Sequence, residues 1–268
     1  MVFEQLFRVS WIQRKENSFI LGFIYSIVGI ISAKLIFPAN VGLMSVAFTS
    51  VLLIPSLNSL LRMEENVEIR EKKLSLRLLL RDHKDIFKVY INMFLGIYLA
   101  YSFVSLLLDE FTIERIFESQ LNSAGISGFA LFEGQLMNLI LNNLLVFIVA
   151  FMLSVVYGAG SLLFLTWNAS VWGVAFTYFV KQTASVIGDN PFHQFANSVV
   201  PFLPHMVTEA LAYVSAAIVG GIVSKAVLRE KFFSKKFHHI MTDALIILVI
   251  GFILVIVAGI IEVKFFKP

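Results

Sequence analysis

The chain reads as all-α: a polytopic helical membrane protein of about seven transmembrane helices, with the N-terminus cytoplasmic and the C-terminus outside. Composition is the first reason. Of 268 residues, 58% are hydrophobic and only 15% charged, against roughly 45–50% and 25% in ordinary soluble domains. The second is that the apolar residues, 27 Phe among them, gather in runs of spanning length rather than alternating as strands do. The third is the placement of charge. Lys and Arg lie between the runs and unevenly so, which accounts for the net +3 and the pI near 9.0 as topology rather than as a nucleic-acid footprint. The chain has no Cys. That excludes disulfides, thiolate metal sites and cysteine nucleophiles, and leaves the redox compartment open.

Seven runs reach the roughly 17–25 residues needed to cross hydrocarbon: 18–37, 41–61, 86–108, 136–157, 161–180, 199–224 and 244–263. The first lacks a small-residue cleavage site and is followed, after Pro38 and Asn40, by a second full run, so it reads as a signal anchor. Arg8, Arg14 and Lys15, eight basic residues over 62–88 and five over 225–236 share one side; Lys34, Arg115, Lys181, Lys264 and Lys267 lie opposite. Sixteen against five predicts the stated orientation, and dropping the short fifth run would put the third basic loop on the wrong side.

The connecting segments have characters of their own. Over 62–88, Leu74, Leu78 and Leu79 form a stripe beside Arg70, Lys73, Arg77, Arg81 and Lys84. This suits either a helix on an anionic membrane surface or a solvated helix between spans. After the third run, Ile113, Ile116, Phe117 and Leu121 share a face opposed to Glu114 and Glu118, which predicts an interfacial helix. Gly158 and Gly160 make a tight turn between the fourth and fifth runs, which are therefore an antiparallel hairpin. Pro201 and Pro204 open the sixth, where missing backbone donors are tolerated at a first turn. Beyond them Ala212, Ala216 and Gly220 make a small-residue stripe along which helices can approach closely, within one chain or between two.

Polar residues inside the runs are the informative ones. Asn142 and Asn143 lie in the fourth, Asn168 in the fifth, and His205 and Glu209 four residues apart on one face of the sixth. A carboxylate two turns into a spanning helix costs roughly 2.5–3.5 kcal/mol unless it faces protein, water or a partner, so Glu209 should point inward. Together these residues predict a buried polar cluster. It is either a satisfied network fixing helix register, a proton- or cation-responsive site, or a contact for a partner's membrane helix.

Catalytic signatures are weak. No HExxH or phosphate-cradling glycine motif occurs, and the other histidines lie in different loops. GISG at 125–128 matches the short serine motif of rhomboid-type proteases, but Ser127 falls in a loop and His205 lacks the glycine expected three residues on. No metal site, cofactor or catalytic residue is predicted.

The run NNLLVFIVAFMLSVVYGAGSLLFLTWNASVWGVAF, followed by PFLPHMVTEALAYVSAAIVGGIV, resembles the membrane core of the stage II sporulation protein M family. Asn142 and Asn143 match that family's Asn pair, Gly158 and Gly160 its turn, Asn168 its Asn, and Gly173 its later Gly. Pro204, His205 and Glu209 match its Pro-His and Glu; Ala169 departs from the usual glycine. On this resemblance residues 1–268 form a single membrane domain. Its parts are a hairpin and basic loop added over 1–85, a third span and outer segment over 86–135, the family core over 136–226, and a basic loop and last span over 227–268.

The resemblance implies a membrane scaffold for cell-wall-degrading enzymes rather than a hydrolase, without implying sporulation itself. The expectation is therefore a non-enzymatic protein of the cell membrane, a scaffold or subunit of an envelope or membrane-remodelling complex. Its partners would be the lipid bilayer, copies of itself or membrane and envelope proteins, and no nucleic acid. The alternatives are a small proton- or cation-linked transporter or channel using Glu209, and third an intramembrane hydrolase.

Overall fold

A computed structural model describes residues 15–68, 76–124, 136–157 and 161–265. Helix is the only regular structure among the described residues. The long helices are α1 (Lys15–Ile36), α2 (Val41–Glu68), α3 (Leu76–Leu107), α6 (Leu136–Tyr157), α7 (Ser161–Ile187), α8 (Pro191–Arg229) and α9 (Lys235–Phe265); α4 (Glu110–Ile116) and α5 (Glu118–Ser123) are short. Six helices are long and apolar enough to cross a bilayer, and α2 adds a shorter apolar stretch, Val41–Ser56, about 24 Å at 1.5 Å per residue. The fold is that of a polytopic helical membrane protein.

The order of packing follows from which faces are apolar. On α3, Ile86, Val89, Tyr90, Met93, Phe94, Ile97, Tyr98 and Tyr101 recur at three- and four-residue spacing and are all buried, one full stripe of an amphipathic helix. They meet Leu21 and Ile30 of α1, Val46 and Leu53 of α2, and Leu162, Leu165 and Val174 of α7 in the main core. A smaller core joins Phe147 and Ala150 of α6, Ala212, Tyr213 and Ala216 of α8, and Val255 of α9. Helices α7 and α8 bridge the two, since both also pack on α3. The first two helices are thus built into the main core rather than appended to it. Contact between α1 and α3 is close because two glycines face each other's backbone: a Cβ on Gly22 would fall on the Met93 carbonyl, and one on Gly96 on the Phe19 carbonyl.

Three segments differ from the sequence expectations. The predicted interfacial helix is broken at Phe117 into α4 and α5, and its apolar face is turned into the bundle, where Ile113, Phe117 and Leu121 are buried. That face packs against α2 and α7. Over 62–88, α2 and α3 run on as helices to Glu68 and from Leu76; the stripe residue Leu74 lies outside the described residues.

The third difference is on the other side of α7. This helix continues to Ile187 and is closed by Gly188 at φ 72°, with the Asp189 N–H on the Ala184 carbonyl at 2.9 Å, the left-handed C-terminal turn that glycine permits. Helix α8 then starts at Pro191, with Asn190 as its N-cap accepting from Phe192 N–H at 2.8 Å. Pro201 and Pro204 consequently lie inside α8, on its exposed side, rather than at its first turn. A cap and a proline ten residues earlier start the helix before the apolar run begins. Gly158 and Gly160, and residues 125–128, lie outside the described residues.

Candidate functional site

His205, Glu209 and Tyr213 stand at successive four-residue steps of α8, which puts all three side chains on one face. That face is turned toward α6 and α9, and the three residues are 1%, 4% and 2% exposed. His205 Nδ1 lies 3.2 Å from the Ala258 carbonyl of α9, an acceptor that assigns the proton to that nitrogen. Nε2 then faces Glu209 Oε2 at 3.2 Å. The two ionisable groups thus lie side by side out of water, within ion-pair distance on one helix face.

The other carboxylate oxygen, Oε1, accepts from the Tyr213 hydroxyl at 2.6 Å. Asn143 of α6 reaches the same hydroxyl at 3.4 Å. Tyr213 has a single hydrogen and spends it on Glu209. It is Asn143 Oδ1 that faces this hydroxyl, as a second and more distant acceptor for the same hydrogen. Trp172 of α7 sets its ring edge-on to His205, 5.2 Å between centroids, and Phe202 lies 5.6 Å away. Aromatic walls thus close the histidine side of the site.

Of the five residues predicted for the polar cluster, the structure brings together Asn143, His205 and Glu209. Asn168 is half-buried and donates to the Phe164 carbonyl of its own helix at 2.8 Å, and Asn142 is exposed on the opposite side of α6; neither joins the cluster. Tyr213 was missed, although its i+4 spacing from Glu209 was the available signal. The packing residues sit where close approach is needed. Ala212 and Ala216 are fully buried, a Cβ on Gly220 would strike Ser154 and the Phe151 carbonyl of α6, and one on Gly173 would strike the Tyr98 carbonyl of α3. The small-residue stripe is therefore used within the chain, where Ser154 Oγ also donates to the Ala217 carbonyl. Ala169 is fully buried and its methyl is accommodated in the core.

A second polar network, not anticipated from sequence, joins α2, α3, α5 and α7. Gln120 of α5, fully buried, donates from Nε2 to the Gly42 carbonyl at 3.0 Å and reaches Ser170 Oγ at 3.4 Å. Ser45 Oγ donates to the same carbonyl at 2.8 Å and accepts from Tyr101 OH at 2.8 Å. The short helix pair α4–α5 is pinned again by the Tyr178 hydroxyl on Glu114, and Lys181 Nζ donates to carbonyls at the end of α3, Leu106 (3.4 Å) and the following Leu108. At the surface, the Thr112 hydroxyl and backbone amide hold the Asp109 carboxyl below its ordinary range, and His193, with Asn190 N–H, does the same for Asp189. Among the described residues no group of three His, Asp or Glu side chains converges as a metal site would require.

The family model for stage II sporulation protein M matches residues 18–265. That range takes in the α1–α2 hairpin, which the resemblance confined to the fourth to sixth runs had left outside. No curated protein and no solved structure matches the chain. A match over nearly the whole length makes the chain a member of the stage II sporulation protein M family.

Proposed function

We propose that this protein is a non-enzymatic scaffold or subunit of an envelope or membrane-remodelling assembly in the cell membrane, and that the Asn143–His205–Glu209–Tyr213 cluster is the internal lock that keeps α6, α8 and α9 in register. One observation carries this reading. Both ring nitrogens of His205 and both oxygens of Glu209 face groups of their own chain, and α8 passes through the cluster without a break. Transporters build midplane sites from interrupted helices whose free ends address the substrate, and α8 supplies no such ends. The family is not a known enzyme family, which agrees with a holding rather than a converting role.

Self-association belongs to the same reading. Asn142 shares the exposed face of α6 with Leu141, Leu145, Ile148 and Met152, and an amide there gains hydrogen bonds by meeting its counterpart on a second copy. The transport reading retains one supporting observation, the approach of two buried ionisable groups, His205 Nε2 and Glu209 Oε2, to 3.2 Å. Crosslinking in native membranes followed by mass spectrometry tests the scaffold reading. A stoichiometric envelope-protein partner and self-crosslinked dimers are expected from the parent and from Glu209→Gln alike, whereas recovery of uncrosslinked monomer without a partner contradicts it.

A further inference from the structure

The turn between α8 and α9 exposes two large apolar side chains, Phe232 at 61% and Phe233 at 82%. Phe233 has φ 63°, a left-handed backbone conformation that bulky residues rarely adopt. The turn is nonetheless ordered. Ser234 N–H donates to the Lys231 carbonyl at 3.0 Å, and Ser234 Oγ caps α9 by accepting from Phe237 N–H at 3.1 Å. Phe232 rests against Phe237 (5.3 Å) and Phe233 against His238 (6.1 Å). A left-handed residue inside a capped turn thus holds both rings outward.

Charge surrounds the rings. Glu230 is paired with Lys236, which leaves Lys231 and Lys235 exposed and without an ion pair among the described residues. Both flanking helices are of membrane-spanning length and composition, so the turn between them lies at a bilayer surface. Rings that would be costly in water, with ammonium groups beside them, match the boundary where acyl chains meet anionic headgroups.

We propose that the 230–236 turn is an anionic-phospholipid binding element, in which Phe232 and Phe233 enter the headgroup–acyl boundary and Lys231 and Lys235 take the lipid phosphate. This inference does not depend on the scaffold reading. The test uses the full chain released from detergent after incubation with equal amounts of phosphatidylglycerol and phosphatidylcholine, with bound lipid counted by native mass spectrometry. The parent is expected to retain phosphatidylglycerol preferentially, and Lys231→Gln/Lys235→Gln to lose about fivefold of that preference per lysine. Because the chain has no Cys, a nitroxide on Phe232→Cys in nanodiscs reports depth independently. It should be reached by oxygen better than by a water-soluble nickel complex. An unchanged phosphatidylglycerol preference in the double variant, a loss no larger than that of Lys34→Gln/Lys264→Gln, or a fully water-accessible label would each overturn the proposal.

Discussion

His205 and Glu209 face each other across one turn of α8, Nε2 to Oε2 at 3.2 Å, while the outer nitrogen of the ring binds the Ala258 carbonyl and the outer oxygen of the carboxylate binds Tyr213. The two ionisable groups are each other's answer to burial, and through their second partners they tie α8 to α9 and, by way of Tyr213 and Asn143, to α6. In water such a pair would contribute little. In a buried site, removing one member leaves the other uncompensated, at a cost of about 3–5 kcal/mol.

Glu209→Gln should therefore preserve the fold, since its amide still accepts from Tyr213 and can donate to His205. Glu209→Ala should lower stability by about 3–5 kcal/mol, and His205→Ala added to it should cost much less than the sum of the two single changes. Glu209→Lys should prevent stable insertion because its charge cannot reach the interface. Thermal unfolding of the purified variants checks this; a lysine variant recovered as well as the parent contradicts the buried position of Glu209.

Neighbouring glycines on α8 should respond oppositely. A methyl on Gly220 meets Ser154 and the Phe151 carbonyl, whereas one on Gly221 has only the end of Ser154 at 3.8 Å. Gly220→Ala should destabilise by about 1–3 kcal/mol through overpacking, while Gly221→Ala should be neutral or gain up to about 1 kcal/mol from helix propensity. Equal effects at the two positions, measured as unfolding midpoints, would contradict the close contact of α6 and α8.

Gln120→Leu removes the donor that holds α5 to the Gly42 carbonyl and to Ser170, at about 1 kcal/mol per lost hydrogen bond, while the carbonyl keeps Ser45 Oγ. The expected result is faster hydrogen exchange in α4 and α5 with little change in α8 and α9. Unchanged protection in α5 would mean that its apolar face alone seats it.

Asp109 gives an acid dependence whose sign is fixed by its partners. Its carboxyl is lowered first by the Thr112 hydroxyl and then by the Thr112 amide. The stabilisation is thus present above the ordinary carboxylate value of about 3.9 and is lost as pH falls through the lower folded value. Asp109→Asn should flatten this part of the acid profile of α4, followed as a thermal midpoint between pH 6 and pH 3; a profile identical to the parent's would show that the cap contributes nothing.

Much of this architecture was legible because hydrocarbon imposes simple rules. Run length located the long helices, and the cost of a buried carboxylate pointed Glu209 inward and picked out His205 beside it. What sequence could not convey was partnership between helices. Asn142 and Asn143 are adjacent and chemically identical, yet the 100° turn between them sends one to Tyr213 and the other to the outer face. Asn168 spends its amide on its own helix, a local alternative that periodicity does not reveal. Gln120 was overlooked because an amphipathic outer segment looks the same whether its apolar face meets lipid or protein. Pro201 and Pro204 suggested a helix start, and the true start was set by the cap and proline at Asn190 and Pro191.

We propose that the buried cluster locks helices together and does not move protons across the membrane. The most direct test is the decay of an imposed pH gradient in liposomes holding the purified protein, compared with liposomes holding Glu209→Gln and with protein-free liposomes. Equal decay in all three is the predicted result; a faster decay with the parent that Glu209→Gln abolishes would contradict the account and make Glu209 a transport residue.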